Sequence, residues 1–283
     1  MQINFEQERQ WWDAKAAKEE TDLADEAINR TLRWREIERH LQGVHSILDV
    51  GAATGAFSIP LARRGFQVTH LDFSLEMLNL ARQKATGLET IRFVQANATD
   101  LAQFADRSFD LVLNLDGAIS FCGSAAEQAL AESCRVTRGT LIASVSHRAR
   151  MVGVWTQVSL QVSDCILPAV YEMVERGSWH QRNFPENPLL SKGSTNDYFG
   201  AFRAFLPGEL GQLVEGAGLQ VVRLGGIGTL ATFLDNDLLE KVRSDARLLE
   251  EFLDLCERYD LQIDPHGLGT RQRAGLIVVA KRS

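Results

Sequence analysis

A glycine-rich turn, followed about 20 residues later by an acid, is the part of this chain whose residue types and spacing best suit chemistry. Residues 47–55 (ILDVGAATG) begin with an apolar run typical of a buried strand and end in small residues. A second apolar run ends at Asp72. At the end of a parallel sheet, this spacing lets a carboxylate bind the ribose of a nucleoside. The pattern therefore predicts a nucleoside cofactor.

Two residues of the turn discriminate between nucleoside cofactors. A dinucleotide site needs a glycine at the second motif position so that the backbone can approach a pyrophosphate, and this chain has Ala53 there. Asp49, two residues before Gly51, would repel a pyrophosphate but suits a cationic aminoacyl group. Both observations favour S-adenosylmethionine, which carries an ammonium and a sulfonium group and no phosphate. An NAD(P)-dependent oxidoreductase and a non-catalytic cofactor-binding protein are alternatives of other classes.

The composition is that of an ordinary globular protein. The chain has 283 residues, of which 45% are hydrophobic, so it can bury a full core. Its formal net charge of -7 gives no overall attraction to nucleic acid or to an anionic membrane. The four cysteines lie far apart and form no metal-binding or disulfide pattern, so no metal site is predicted. Because no apolar run is long enough to span a bilayer and no leader is recognisable, we expect a cytoplasmic protein.

Strand and helix patterns alternate through the middle of the chain, which predicts parallel strands joined by right-handed helical crossovers. The predicted strands are 46–50, 67–72, 90–95, 109–114, 139–146, 219–224 and 274–280. The predicted helices that lie between or after them are 55–64, 74–84, 99–105, 124–135, 207–218 and a long one at 236–259.

Two segments fall outside this alternation. Residues 6–42 are rich in Glu, Ala, Lys and Arg without proline, which predicts two helices. We therefore expect an N-terminal helical lid (1–43), a main domain (44–147 and 206–283) and a cap insertion over the acceptor site (148–205). Aromatic side chains of the lid and cap either cover a substrate or form small cores of their own. These aromatics are Trp11, Trp12, Trp34, Trp155, Trp179 and Tyr198.

Two motifs extend the interpretation of the turn. The turn itself reads Gly51-x-Ala53-x-Gly55, and residues 72–78 read DFSLEML. With these motifs, the chain resembles the class I S-adenosylmethionine-dependent methyltransferases over residues 44–147 and 206–283. The resemblance implies an α/β fold with a Rossmann-like, doubly wound sheet of seven strands. The implied strand order is 3-2-1-4-5-7-6, with the last strand antiparallel.

The resemblance also implies which residues bind S-adenosylmethionine. Asn97 stands where the family usually has an aspartate, and its side-chain oxygen could still accept a hydrogen bond from the adenine amino group. Arg30, in the helix before the first strand, is either a clamp for the cofactor carboxylate or a solvated charge on that helix. The other expected cofactor residues are Asp49, Gly51, Ala52, Ala53 and Gly55 at the turn, Asp72 at the ribose, Phe73, Met77 and Ala98 at adenine, and Asn114 and Leu115 near the methyl donor.

The acceptor site is predicted less sharply, because methyl transfer depends on alignment and exclusion of water rather than on covalent machinery. Asp116 follows the fourth strand and is either a general base or the first residue of an Asp-Gly turn. His147 ends the fifth strand and is either a base that titrates near neutrality or a structural histidine.

Within the family, both ends of the chain look similar to tRNA 5-carboxymethoxyuridine methyltransferases. The similar segments are Arg30-x-x-x-Trp34-x-x-Ile37 and Glu257-Arg258-Tyr259. The negative net charge gives no support to an RNA substrate. We therefore expect a methyltransferase acting on an O, N or C nucleophile of a small molecule, with a tRNA wobble-uridine carboxyl methyltransferase as the alternative. A monomer and a homodimer are both compatible with the sequence.

Overall fold

Strands at the centre of the molecule determine where the loops of the site lie. The computed structural model describes residues 3–20, 24–162, 164–180, 201–265 and 275–282. The strands in these ranges are β1 (Ser46–Val50), β2 (Gln67–Asp72), β3 (Ile91–Gln95), β4 (Phe109–Asn114), β5 (Thr137–Val145), β6 (Ser178–His180), β7 (Ala201–Arg203), β8 (Leu219–Gly226) and β9 (Leu276–Arg282).

Seven of these strands form one sheet in the order β3-β2-β1-β4-β5-β9-β8. The five strands from β3 to β5 pair in parallel, whereas β9 runs antiparallel to both β5 and β8. Because β8 and β9 are the sixth and seventh strands of the sheet along the chain, the predicted order and the antiparallel last strand are confirmed. The order reverses between β1 and β4, and in open α/β sheets ligands bind at such a reversal.

Helices cover both faces of the sheet. On one face, Leu130 and Leu210 pack on the strands, and on the other face Ile37, Leu61 and Leu253 do so. The helices are α1 (Phe5–Lys15), α2 (Ala24–Glu38), α3 (Ser58–Arg63), α4 (Leu75–Lys84), α5 (Ala118–Phe121), α6 (Ala126–Val136), α7 (Arg148–Val162), α8 (Pro168–Arg176), α9 (Pro207–Gly216), α10 (Asn236–Arg243) and α11 (Ala246–Gln262). None of the helices in the described ranges is long and apolar enough to cross a bilayer.

The predicted helix over 99–105 is wrong, since turns connect β3 to β4. The Arg135 guanidinium on α6 donates to the carbonyl oxygens of Leu101 (2.9 Å) and Phe104 (3.0 Å). The Glu132 carboxylate accepts from the backbone N–H of Leu101 (2.8 Å). These contacts with a distant helix hold the segment in turns, so tertiary hydrogen bonds override its local helical pattern.

The predicted long helix over 236–259 is two helices, α10 and α11. Asp245 separates them, because its Oδ1 accepts from the backbone N–H groups of Arg247 (2.9 Å) and Leu248 (3.0 Å). A carboxylate in this position is an N-cap, which starts a new helix. Residue 274, where the closing strand was predicted to begin, lies outside the described residues.

The described part of the insertion forms helices α7 and α8 and a two-stranded sheet of β6 and β7. Trp155 stacks on Trp179 with ring centroids 5.1 Å apart, and Trp179 packs with Met173 and Phe202 in a separate apolar cluster. The aromatic residues of this region therefore form a small core of their own. Tyr198 lies outside the described residues.

Asp110, on β4, fixes the start of β1. Its Oδ2 accepts from the backbone N–H groups of His45 (3.0 Å) and Ser46 (2.9 Å), and its Oδ1 accepts from Arg138 Nε (2.9 Å). Burial opposes the charge, but the hydrogen bonds outweigh it and lower the pKa of Asp110 to about 2. The ionised carboxylate therefore stabilises the junction of the two central strands.

We expect Asp110→Ala to lower the free energy of unfolding by about 1–3 kcal/mol in urea titrations at pH 7, because the backbone N–H groups of His45 and Ser46 lose a charged acceptor. A folded-state pKa below the unfolded value gives stability that is present above a pH of about 4 and is lost as the pH falls toward 2. The difference in free energy of unfolding between the wild type and the variant should therefore shrink as the pH falls. The control is Asp106→Ala, which removes an exposed carboxylate that pairs with Arg135. Equal losses in the two variants would contradict this role for Asp110.

Candidate active site

A cavity lies at the carboxyl ends of β1, β2 and β4, where the strand order reverses. It contains about 780 Å³ of space between protein atoms, part of it open to solvent. Its described lining includes Gly51 and Ala53 after β1, Asp72 at the end of β2, Asn97 after β3 and Leu115 after β4. The sequence-predicted turn and ribose acid are thus brought together at one site.

The turn after β1 requires small residues at defined positions. Gly51 has a φ of +68°, and a Cβ atom there would lie 2.5 Å from the Cβ of Ala118. Gly55 also has a positive φ, of +93°. Ala52 does not line the cavity, but its backbone N–H donates to the carbonyl of Leu71 (3.0 Å) and so ties the turn to β2. A larger side chain at Gly51 would push the turn away from α5 and change the cavity floor.

Asp72 connects the turn after β1 with the start of α4. Its Oδ2 accepts from the backbone N–H of Ala53 (2.9 Å), and its Oδ1 accepts from that of Ser74 (2.8 Å). Burial raises the pKa of Asp72 to about 6, and these hydrogen bonds limit the rise. Each carboxylate oxygen keeps a second lone pair, so Asp72 can still accept hydrogen bonds from a ligand hydroxyl.

Asp49 lies beneath the turn and does not line the cavity. Its side chain is 2% exposed, and its Oδ2 has no hydrogen-bond partner among the described residues. Burial, with a smaller contribution from the charge of Asp116, raises the pKa of Asp49 to about 7, although the backbone N–H of Ser58 opposes this. The carboxylate is thus a buried, incompletely satisfied charge under the floor of the cavity.

The side of the cavity next to β2 and β3 is lined by Phe73, Met77, Asn97 and Ala98, as the sequence predicts. The orientation of Asn97 differs from the prediction. Its Oδ1 already accepts from the backbone N–H (3.0 Å) and the hydroxyl (2.9 Å) of Thr99. The group of Asn97 that remains for a ligand is therefore the Nδ2 amide, which donates.

Helix α1 forms one wall of the cavity, and sequence reasoning missed its key residue, Glu8. Phe5, Glu8 and Trp12 all line the cavity. Their i, i+3, i+7 spacing places them on one helix face and was the available signal. Trp12 packs edge-on against Phe121 with ring centroids 5.1 Å apart.

Asp13 holds α1 in place over the site. Its Oδ1 accepts from the Ser74 hydroxyl (2.6 Å) and from the backbone N–H of Glu76 (3.2 Å). Its Oδ2 pairs with Arg9 Nη1 (2.6 Å). The carboxylate thus interacts with the positive N-terminal end of α4, which is favourable.

Acidic groups dominate the charge of the cavity. Its described lining contains four carboxylates and no lysine, arginine or histidine. The carboxylates are Glu8, Glu19, Asp72 and Asp116. Burial raises the pKa of Glu8 to about 7, and burial together with Glu8 raises the pKa of the Cys122 thiol to about 12. Such a lining favours a cationic ligand and disfavours a phosphate.

The two predicted catalytic residues lie in different environments. Asp116 lines the cavity, has a φ of +58°, and pairs with Arg33 Nη1 of α2 at 2.8 Å. His147 is 1% exposed, and its Nδ1 accepts from the backbone N–H of Ala149 (3.0 Å). Since His147 is not among the described lining residues, the geometry favours Asp116 over His147 as an acceptor-site group.

Besides Asp49, Ala52 and Gly55, two further predicted cofactor residues, Asn114 and Arg30, lie outside the described lining of the cavity. The Asn114 side chain points toward α6, where its Nδ2 donates to Ser133 Oγ (3.1 Å), while Leu115 lines the cavity. Arg30 lies on α2 but does not line the cavity. The arginine of α2 that reaches a lining residue is Arg33, through Asp116. Sequence spacing alone could not select between two arginines that lie within one turn of the same helix.

Comparisons with known proteins agree with this geometry. Residues 48–142 match the family described as "Methyltransferase domain". A demethylmenaquinone methyltransferase of Renibacterium salmoninarum is 37% identical over 127 residues, which cover 43% of this chain and 51% of the relative. A tRNA 5-carboxymethoxyuridine methyltransferase of Escherichia coli is 29% identical over 93 residues, or 30% of this chain and 36% of the relative. The chain thus spans about half the length of the first relative and about a third of the second.

Among solved structures, an S-adenosylmethionine-dependent methyltransferase of Methanosarcina mazei aligns with a TM-score of 0.54. The alignment covers 87% of this chain and 96% of that protein, at 19% sequence identity. At this identity the likeness concerns the fold alone.

Three buried carboxyl groups should make the protein without ligand less stable as the pH rises. The pKa values of Asp49, Asp72 and Glu8, about 7, 6 and 7, lie above the ordinary range for carboxyl groups. A raised folded-state pKa gives stability that is complete below a pH of about 4 and is lost as the pH rises through 6 to 7. We expect the Tm in calorimetry to fall between pH 5 and pH 8, by roughly 2–4 °C for each kcal/mol lost.

Asp49→Asn keeps the shape of the side chain without its charge, so it should flatten this decline and exceed the wild type in Tm at pH 8. Asp100→Asn, at an exposed position, is the matched control and should follow the wild-type curve. If Tm falls with pH equally steeply in the Asp49 variant and in the control, ionisation of Asp49 does not destabilise the folded protein.

Proposed function

We propose that this protein, whose residues 48–142 match the family described as "Methyltransferase domain", transfers the methyl group of S-adenosylmethionine to an O, N or C nucleophile of a small molecule. The observation that carries the proposal is the acidic cavity at the reversal of the strand order, with a small-residue turn as its floor and Asp72 at its side.

The charge of the lining fits the cofactor. S-adenosylmethionine carries positive charge at its sulfur and its ammonium group, and four carboxylates with no lysine, arginine or histidine line the cavity. When it is ionised, the buried Asp49 carboxylate beneath the turn adds negative potential at the same place. A pyrophosphate would meet repulsion here, which argues against an NAD(P)-dependent oxidoreductase.

The lining residues divide into three roles. Asp72 would accept hydrogen bonds from the ribose hydroxyls, and Phe73 and Met77 would pack on the adenine. Asn97 would donate from Nδ2 to a ring nitrogen of the adenine. Arg33, through its position beside Asp116, is a better candidate than Arg30 for the carboxylate of the cofactor.

When bound, the cofactor supplies an electrophilic methyl group on a positively charged sulfur. The protein's part is to align a nucleophile with that group and to keep water away. Phe5, Trp12 and Phe121 supply an apolar wall for this purpose. We propose that α1 acts as the lid and that Asp13 holds it in place. The role of residues 148–205 as a cap stays a prediction, because none of their described members lines the cavity.

A small molecule is the acceptor that the cavity favours. The first relative acts, by its name, on demethylmenaquinone, which is a small molecule. A carboxymethoxyuridine in tRNA would bring a carboxylate and backbone phosphates to an acidic lining. The tRNA alternative therefore rests on the similarity to the second relative alone.

Cofactor binding by the wild type can be tested by thermal shift. S-adenosylmethionine and its demethylated product S-adenosylhomocysteine should each raise the Tm, since a ligand at 100 times its Kd stabilises by about 2.7 kcal/mol. NAD and NADP should leave the Tm unchanged. Stabilisation by NAD or NADP alone would overturn the proposed function.

The role of Asp72 can be tested by calorimetry with S-adenosylmethionine. Asp72→Ala removes a charged acceptor of the ribose, so it should weaken binding by about 10- to 100-fold, as expected for a lost hydrogen bond to a charged group. Asp100→Ala serves as the control and should keep wild-type affinity. Circular dichroism of both variants checks that the fold is retained. An Asp72 variant that is folded and binds as the wild type does would contradict the ribose assignment.

Filter binding to bulk tRNA separates the two acceptor classes when it is measured at about 50 mM and about 200 mM salt. We expect no salt-dependent retention. Retention that falls steeply with salt would favour the tRNA alternative.

A further inference from the structure

We propose that Glu8 is the general base of the acceptor site, and that it selects planar acceptors that enter uncharged and carry a weakly acidic O–H or N–H group. This inference rests on the proposed function and names the acceptor class and a catalytic residue for the same site. Three observations support it: the position of Glu8, its apolar surroundings, and the hydrogen bonds and ion pair that already occupy Asp72 and Asp116.

The position of Glu8 is fixed by its helix. Its side chain is 4% exposed and points from α1 into the cavity, between Phe5 and Trp12 on the same helix face. Asp13 secures that helix through the hydroxyl of Ser74 at 2.6 Å. A carboxyl group is therefore held inside the cavity by a helix that packs over it.

The surroundings of Glu8 are apolar and aromatic. Phe121 and Cys122 line the same cavity, and Trp12 packs against Phe121. Burial raises the pKa of Glu8 to about 7, which is the range in which a general base works best at neutral pH. The aromatic walls fit a planar ring better than a flexible chain.

The other titratable groups that line the cavity are less suited to accept a proton. Both oxygens of Asp72 accept from backbone N–H groups, and Asp116 pairs with Arg33. Burial and Glu8 raise the pKa of the Cys122 thiol to about 12, so the thiol stays protonated. Glu19 also lines the cavity, on the 3-10 segment that follows α1, but it is half-buried and so less shielded from water than Glu8.

Methyl transfer to the acceptor conserves atoms, electrons and charge. A lone pair of the acceptor atom forms the bond to the methyl carbon, and the bond from that carbon to sulfur breaks with its electron pair moving to sulfur. The proton of the acceptor passes to the Glu8 carboxylate and then to solvent. The products are the methylated acceptor, a neutral thioether and one proton.

The same carboxylate gives the site its selectivity. An acceptor that enters as a carboxylate has no proton to give and meets a like charge close by in an apolar cavity. A neutral hydroxyl or N–H group can instead donate a hydrogen bond to Glu8. The negative charge of the Glu8 carboxylate strengthens that hydrogen bond. The cavity should therefore discriminate between two ligands of the same shape that differ only in this charge.

Calorimetry with 2-naphthol and 2-naphthoate tests this discrimination. Both are planar probes of similar size, and both are titrated at pH 8 into protein saturated with S-adenosylhomocysteine. We expect the wild type to bind 2-naphthol at least about tenfold more tightly, and Glu8→Gln to reduce this ratio to about threefold or less by improving the binding of 2-naphthoate. The control Glu6→Gln changes an exposed carboxylate on the same helix, which pairs with Arg9, and should keep the wild-type ratio.

An unchanged ratio in Glu8→Gln, or a wild type that binds 2-naphthoate as tightly as 2-naphthol, would overturn the inference. Calorimetry with S-adenosylmethionine alone keeps this outcome distinct from failure of the proposed function. If every variant binds the cofactor normally while the ratio is unaffected, the role of Glu8 is wrong and the methyltransferase assignment stands. If the wild type does not bind the cofactor, both are wrong.

Rates of S-adenosylhomocysteine formation with 2-naphthol supply the catalytic readout. Glu8→Gln should lower kcat by about 10²- to 10⁴-fold, the usual contribution of a general base, with less than a twofold change in cofactor Kd. In the wild type and in Glu6→Gln, kcat/KM should rise with pH through about 7, and this rise should be absent in Glu8→Gln. A variant that keeps the wild-type rate and pH profile would contradict the role of Glu8, and if 2-naphthol is bound but not methylated, the binding ratio alone decides.

Discussion

The carboxylate of Asp72 is the group on which the rest of the site depends. One oxygen accepts from the turn after β1 and the other from the start of α4, so it fixes the two segments that flank the cavity. Ser74, whose N–H binds Asp72, also donates its hydroxyl to Asp13 of α1. The turn after β1, Asp72 and α1 are thus joined through three consecutive hydrogen bonds. Because these hydrogen bonds meet at residues 72–74, a ligand that stabilises the position of one segment should also stabilise the positions of the other two.

This arrangement carries an electrostatic cost. Asp49, Asp72 and Glu8 are all buried, and burial raises the pKa of each carboxyl group. In a protein without a cation at this place, apolar or amide side chains would be the more stable choice. A cationic ligand changes the balance, because it interacts favourably with the same charges that destabilise the protein alone. The buried acids thus cost stability in the protein without ligand, and the proposed cationic cofactor would offset that cost.

Local patterns were enough to predict the sheet and its cofactor edge. Apolar runs in the sequence marked the strands, and the small residues from Gly51 to Gly55 marked the turn, because these features depend on near neighbours in the sequence. The split of the last long helix also had a local signal, the N-cap Asp245, which periodicity alone overlooked. The helix predicted over 99–105 failed for the opposite reason, since Arg135 of a distant helix decides that segment.

Glu8 and the orientation of Asn97 required the structure. Asp13 meets Ser74 across 61 residues of sequence, and long-range contacts such as this one and that of Trp12 with Phe121 direct the Glu8 face of α1 into the cavity. For Asn97, the partner is close in sequence, but residue type alone does not tell whether the amide oxygen or the amide nitrogen is used by Thr99. The substrate side of the site is therefore less predictable than the cofactor side, because it is built from the packing of separate segments.

The antiparallel closing strand has a consequence for how the protein is made. β5 pairs with β4 on one side and with β9 on the other, and β9 is synthesised after every other strand of the sheet. The five parallel strands that form the cofactor crevice can therefore assemble on the ribosome while one edge of β5 is still unpaired. An unpaired edge of this kind is a template for aggregation, and the late, long-range pairing that covers it is intrinsically slow. The period of greatest risk for the nascent chain thus falls between completion of the crevice and arrival of β9.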